Sequence, residues 1–298
     1  MGRRKFIKQS STICVSTLIV PLEPYFMVDR NIRIGLASDS HYADREVAGT
    51  RFYRGALEKM QEFVSVMNKE KVDFVVHLGD FKDEDESKEE QKTLGYLQKI
   101  ETEFVKFEGD TFHCIGNHDV DSITKQQFIA NVTNTGIVSD KGYYSFDRNG
   151  FHFIVLDGNH TQEGRDHFYK LGQDWQDTNL GREQLDWLKK DLEGNTLPVM
   201  VFCHHPLYEF FRGEHKYHVN DYLEAQELFE ASGKVLAVFQ GHVHAEDHIS
   251  KNGIHYLTVL GMVDFEGLEN NSFSVVEIKG NKLKLKGYKR SSSHRYGV

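Results

Sequence analysis

Five apolar runs in this chain each break into a short turn rich in Asp, Asn or His. The runs are Ile32–Ala37, Asp73–Leu78, Thr111–Ile115, Leu197–Cys203 and Val235–Gln240. Their turns read Ser38-Asp39-Ser40-His41, Gly79-Asp80, Gly116-Asn117-His118-Asp119, His204-His205-Pro206 and Gly241-His242-Val243-His244. Short continuous apolar runs suit strands buried on both faces of a sheet. Between the first two runs Ala56, Met60, Phe63 and Met67 recur at spacings of three and four, which predicts a helix. The alternation predicts an α/β fold. In such folds the carboxyl ends of the strands build the ligand site. The five polar turns are therefore expected to meet at one sheet edge.

The remaining pattern adds elements but no second domain. A hairpin is expected from Gly142–Phe146 and Phe151–Leu156 around Asn149-Gly150. Gly181–Leu188 opens an amphipathic helix, and Ile254–Leu260, Ser272–Ile278 and Lys282–Leu285 read as strands. Lys82–Lys92 reads as a solvated loop or helix start. His160–Leu180 reads as a long loop, and long loops in compact domains tend to be functional. A length of 298 residues without repeats or a linker fits one large domain.

Together the turns offer Asp39, His41, Asp80, Asn117, His118, His204, His242 and His244. Imidazole nitrogens with carboxylate and amide oxygens suit Mn, Fe or Zn. The set is too large for one ion, since a catalytic zinc takes about three protein ligands. Two ions sharing one carboxylate fit the count, and such a pair clamps an in-line displacement at phosphorus. Singly, each residue has an ordinary reading: Asp80 and Asn117 as turn residues, His204 as a strand cap. Only the joint pattern carries the metal reading. With 16 His against 3 Cys, thiolate ligation is disfavoured. Cys114 and Cys203 read as buried free thiols, and His205 is expected to point away from the ions, because strand neighbours diverge. His77, His113 and His152 sit within apolar runs and read as structural. A net charge of -9 argues against a nucleic-acid surface.

Residues 1–28 read as an export leader. Arg3-Arg4-Lys5-Phe6-Ile7-Lys8 is basic, and Thr12–Leu22 is apolar but too short to span a bilayer. The paired arginines resemble a twin-arginine signal, which implies export to a bacterial periplasm or cell envelope. No Ala-x-Ala cleavage site follows, so the segment is left open as either a cleaved signal or an N-terminal anchor. Residues 29–298 form the expected mature domain. Loss of 1–27 removes four basic residues and one acid, taking the charge from -9 to -12.

The five turns, in this order, resemble the calcineurin-like metallophosphoesterase superfamily across residues 32 to about 260. The resemblance implies a four-layer sandwich, with two mixed β-sheets flanked by helices and the metal site at the strand C-terminal ends. It implies that Asp39, His41 and His244 bind one ion, that Asn117, His204 and His242 bind a second, and that Asp80 bridges them. His118 would face the substrate and assist the leaving group, with Asp119 holding its ring. A metal-bridging hydroxide would attack phosphorus in line. Gly79-Asp80-Phe81-Lys82-Asp83 lacks the tyrosine that purple acid phosphatases carry three residues after this aspartate.

Gly49-Thr50-Arg51-Phe52-Tyr53-Arg54, Gln184–Leu188, Gly253–Thr258, Leu260–Val263 and Leu285–Arg290 resemble the manganese-dependent ADP-ribose/CDP-alcohol diphosphatase branch. That branch implies a small nucleoside diphosphate substrate cut at its phosphoanhydride. One position departs: His41 stands where that branch carries a glutamine. Arg51 and Arg54 offer charge-assisted bonds to a second phosphate. Tyr42, Asn159 and His160, near strand ends, are expected to line the pocket. Phe168, Tyr169 and Trp175 in the long loop read as packing residues or as stacking partners for a base. The alternatives are an exported phosphomonoesterase, a cyclic-nucleotide-type phosphodiesterase, a nuclease and a non-catalytic binding relative. The oligomeric state stays open.

Overall fold

The structure, a computed structural model, describes residues 30–298. The expected leader over 1–28 lies outside the described residues. The strands are β1 (Asn31–Ala37), β2 (Phe74–His77), β3 (Asp110–His113), β4 (Tyr144–Arg148), β5 (Phe151–Leu156), β6 (Val199–Cys203) and β7 (Phe211–Arg212). They continue with β8 (His215–Lys216), β9 (Val235–Gln240), β10 (Asp247–Lys251), β11 (Ile254–Thr258), β12 (Ser272–Lys279), β13 (Lys282–Lys289) and β14 (His294–Gly297). The helices are α1 (Ala56–Glu70), α2 (Glu90–Phe104), α3 (Lys125–Asn131), α4 (Arg182–Gly194) and α5 (Tyr222–Ser232).

Two six-stranded mixed sheets form the centre. One runs β14-β13-β12-β1-β2-β3 and the other β10-β11-β9-β6-β5-β4. Alternation along the strands serves both faces. Ile32, Ile34 and Leu36 of β1 and Phe74 and Val76 of β2 face the second sheet, where Phe153, Phe202 and Phe239 meet them. Ala37 and Val75 face outward to α1 and α2, against Met60, Phe63, Met67 and Leu97. On the far side α4 and α5 bury Leu185, Leu188, Leu192 and Phe229 against β5, β6 and β9. This is the four-layer α/β sandwich, with three apolar interfaces between its layers.

Local chemistry sets the boundaries. α1 stops at Lys71, whose φ of 53° turns its N–H back to Met67 and Asn68. α3 opens on a capping box between Thr124 and Gln127. Asn149 and Gly150 both have positive φ and close the β4–β5 hairpin in two residues, the form favoured by strand twist. Within Lys82–Lys92 the chain is irregular up to Glu89, and α2 begins at Glu90. The apolar spacing that marks α2 lies beyond this acidic stretch, at Leu97, Ile100 and Phe104. The His160–Leu180 loop holds only a short helical turn at Tyr169–Leu171. Among the described residues, no helix is long and apolar enough to cross a membrane.

β1, β2 and β3 run parallel in one sheet, and β5, β6, β9 and β11 run parallel in the other. Their carboxyl ends therefore share one edge of the sandwich, and the polar turns meet there.

Candidate metal centre

The turns are bent to bring side chains inward. Asp39, His41, Asp80, His242 and His244 all have positive φ, between 46° and 70°. Non-glycine residues in this region cost about 1–3 kcal/mol each and persist where surrounding structure holds them. Backbone bonds do the holding. Asp39 N–H donates to Gly79 O at 3.0 Å, His41 N–H to Asp80 O at 2.9 Å and Gly241 N–H to His204 O at 3.0 Å. Glycine permits the close approach. A Cβ on Gly116 would fall on the Asp80 backbone nitrogen, and one on Gly241 would fall on Ser38 Oγ.

Two groups of ligand-type atoms result. His41 Nε2 and His244 Nε2 face each other at 3.1 Å, with Asp39 Oδ1 at 3.4 Å from the second. His204 Nε2 and His242 Nδ1 face each other at 3.2 Å. Asp80 Oδ2 lies 3.4 Å from His41 Nε2 and 3.3 Å from His204 Nε2, so one oxygen touches both groups. Asn117 Oδ1 is buried without a hydrogen-bond partner among the described residues. Buried polar atoms normally have a partner. Facing imidazole nitrogens and an orphaned amide oxygen beside carboxylates are what a pair of cations would satisfy.

The outer nitrogens of three rings are also anchored. His41 Nδ1 lies 3.2 Å from Asp83 Oδ2, and His244 Nδ1 lies 2.9 Å from Asp264 Oδ2. His204 Nδ1 lies 2.9 Å from the carbonyl of Leu78. Such contacts fix the tautomer and present the other nitrogen inward, the usual support for a metal-binding histidine. The donor set thus fits two divalent ions.

Burial and charge oppose each other here. Burial disfavours the His118 and His204 cations, yet neighbouring carboxylates outweigh it and raise both to about 9. For His118 these are Asp83 and Asp80, and for His204 chiefly Asp80. His41, fully buried and near Arg51, falls to about 3. Asp80 is held well below the usual carboxylate range: burial works against it, but His204, His118 and His41 prevail.

A cleft of about 410 Å³ opens over the centre. Arg45, Arg51, Asp83 and His118 line part of it, and Tyr169, Trp175 and Tyr217 line another part. The rings of Trp175 and Tyr217 lie 5.4 Å apart, and both approach His242. Phe168 is not among the lining residues.

Several expectations are corrected. Asp119 does not hold the His118 ring. Its carboxylate accepts the backbone N–H groups of Phe81, Lys82 and Gly116, tying the β2 and β3 turns together. Residues 118–120 form a 3-10 turn, in which consecutive side chains diverge, and Asp83 meets His118 Nδ1 at 3.2 Å instead. Arg54 is exposed and pairs with Asp44 and Glu46, away from the cleft. Asn159 is buried and donates to the Ile115 carbonyl, and His160 sits with Lys125 beside a separate polar cavity. Tyr42 packs in the outer helical layer. His205 is not turned away: β6 has ended at Cys203, alternation no longer applies, and its ring lies 4.6 Å from that of His242. Sequence reasoning passed over Asp83, Asp264 and Tyr217. Asp83 stood in view, three residues after Asp80, whereas Asp264 and Tyr217 carry no local signal.

The calcineurin-like phosphoesterase family model matches residues 32–246, most of the chain. The chain belongs to the calcineurin-like phosphoesterase family. Curated relatives of this phosphoesterase include a manganese-dependent ADP-ribose/CDP-alcohol diphosphatase from Oryza sativa subsp. japonica, 26% identical over 85% of this chain and 90% of the relative. A protein of the same name from Arabidopsis thaliana is 23% identical over 87% of this chain and 94% of the relative. Among solved structures, a dimetal phosphatase from Danio rerio superposes with a TM-score of 0.75 at 18% identity, covering 90% of this chain and 99% of that one. That likeness supports the two-sheet fold. The phosphoesterase is a metal-dependent hydrolase of phosphorylated substrates, and its cofactor is a pair of divalent ions.

Proposed function

We propose that this phosphoesterase hydrolyses the phosphoanhydride of a small nucleoside diphosphate compound. The carrying observation is the make-up of the cleft: Arg51 and His118 on the wall near His41, and the Trp175–Tyr217 pair near His242. One region suits an anion and the other a flat ring. The names of the two plant relatives support the same substrate class and favour manganese.

In this reading Asp39, His41 and His244 would hold one ion, Asn117, His204 and His242 would hold the other, and Asp80 would be shared between them. When bound, such ions bind phosphoryl oxygens and lower the pKa of a coordinated water. Asp83 engages His118 Nδ1 and favours the protonated ring, so Nε2 is the nitrogen placed to give a proton to the departing oxygen. Arg51 supplies charge-assisted bonds to the second phosphate. Tyr217 and Trp175 bound the space for the base.

The test is a substrate panel of p-nitrophenyl phosphate, bis-p-nitrophenyl phosphate, ADP-ribose, CDP-choline and cyclic nucleotides, each with Mn, Zn, Fe, Co and Mg. Turnover is expected to be highest on ADP-ribose or CDP-choline with Mn. Turnover of the monoester alone would retire the diphosphatase reading. We also infer export, from the basic and apolar leader. Fractionation of the full-length protein tests this, and a purely cytosolic product overturns it.

A further inference from the structure

Tyr169 lines the cleft, and its hydroxyl oxygen is buried with no hydrogen-bond partner among the described residues. Buried tyrosine hydroxyls normally find one. Asn117 Oδ1, in the metal set, shares this orphaned state and lines the same cleft.

The ring is held by one stacking partner and by its neighbours' backbone. It stacks on His167 at 4.7 Å with planes 9° apart. His167 is itself clamped, Nε2 at the Asp177 carbonyl and Nδ1 at Gln173 Oε1. The neighbouring backbone is tied as well: Lys170 N–H donates to Asp121 O at 2.8 Å, and Phe168 N–H donates to Gln173 Oε1 at 2.7 Å. Asp121 belongs to the segment that carries His118, so the long loop is fastened to the metal-site turn next to Tyr169. Burial and then the Asp80 carboxylate raise the phenol's pKa, which leaves it a proton donor across the working range.

We propose that Tyr169 Oη donates a hydrogen bond to a non-bridging oxygen of the phosphoryl group under attack. This rests on the phosphoesterase reading of the cleft, though not on the diphosphate preference. The hydroxyl keeps its proton throughout. A donor that meets an equatorial oxygen better in the trigonal transition state than in the ground state lowers the barrier more than it tightens binding.

Tyr169→Phe, loaded with Mn, is compared with wild type on the best substrate from the panel and on a p-nitrophenyl ester. Loss of one such donor is expected to lower kcat by about 100- to 1,000-fold with KM changed less than about threefold. The loss should be the same on both substrates, because a non-bridging oxygen is common to good and poor leaving groups. Metal content should match wild type. The melting temperature should be equal or higher, since the variant removes an unpartnered buried hydroxyl.

A kcat within twofold of wild type overturns the proposal. So does loss of bound metal, which would make the hydroxyl an ion ligand. An effect that disappears with the p-nitrophenyl ester would make it a leaving-group donor instead. A lower melting temperature would give the hydroxyl a structural partner and overturn the assignment too. If wild type ignores the diphosphates, the substrate reading fails. The Tyr169→Phe comparison then still decides this proposal on whichever phosphoester is hydrolysed.

Discussion

Asp83 Oδ2 stands 3.2 Å from the Nδ1 of His118, and the same oxygen stands 3.2 Å from the Nδ1 of His41. One buried carboxylate therefore orients both a metal-site imidazole and the imidazole that faces the cleft. Asp83→Asn keeps the shape but removes the charge. It is expected to lower kcat by about 10- to 100-fold, the usual scale for the outer partner of a metal-site histidine. Steady-state kinetics with saturating Mn check this, and an unchanged kcat would separate Asp83 from the chemistry.

Asp80 touches both groups of ligand atoms, so its loss should not be partial. Asp80→Ala is expected to lower bound metal from two ions to one or none and activity by at least about a thousandfold. Elemental analysis beside an activity assay tests this. Two tightly bound ions in the variant would contradict the shared role.

Arg51 lies in the cleft beside Asp80 and Asp83, whose charges raise its pKa even though burial opposes them. Hydrogen bonds to a charged group are worth about 1.5–3 kcal/mol. Arg51→Met should then raise KM for a diphosphate substrate by about tenfold or more. The effect on p-nitrophenyl phosphate should stay within about threefold, because that ester lacks the second phosphate. Equal effects on both substrates would place Arg51 on the reacting phosphoryl group.

Lys125 is 3% exposed, with its Nζ at 2.6 Å from Asp157 Oδ2 and 2.5 Å from Asp166 Oδ1. It pins the long loop to the end of β5. Removing one partner of a buried pair costs about 3–5 kcal/mol. Lys125→Met should lower the melting temperature by roughly 6–10 °C. It should also open residues 160–180 to protease, seen as early cleavage there by mass spectrometry. Full protection of that segment would show that the loop is held elsewhere.

Glu70, at the end of α1, receives bonds from Lys286, Tyr288 and Arg33, which lower its pKa from 4.5 to about 2. The folded value lies below the unfolded one. The stabilisation is therefore complete above about 4.5 and is lost as the pH falls toward about 2. Solvent screens part of this cluster, so the effect is about 1 kcal/mol, or a few degrees in melting temperature. Glu70→Gln should melt lower than wild type at pH 7 and together with it near pH 2. A gap that persists undiminished in acid would point to packing rather than charge.

Much of this architecture was legible before any coordinates. Apolar runs, helical spacing and the Asn149-Gly150 turn are local signals, and β1, β2, β5, β6, β9 and α1 form where those signals stand. α5 and β14 were not read. The apolar residues of α5 are spread around the helix, with Leu223 exposed while Ala225 and Phe229 are buried, and β14 takes its place by pairing with β13.

The order of the polar turns was also enough to identify the superfamily, because each turn must follow a parallel strand whose end reaches one edge. Side-chain partnerships were not readable in the same way. Asp119 is adjacent to His118 in the chain yet serves the backbone of another turn, while Asp83 and Asp264 reach the histidines from distant segments. Arg51 and Arg54 stand three residues apart, and only Arg51 enters the cleft. Sequence by itself determined which elements form and where they end, since period, burial and turn chemistry act over a few residues. Which carboxylate meets which imidazole was decided only by the tertiary structure. That choice depends on directions set by positive-φ turns and on two sheets brought face to face, and neither is encoded over a short stretch of chain.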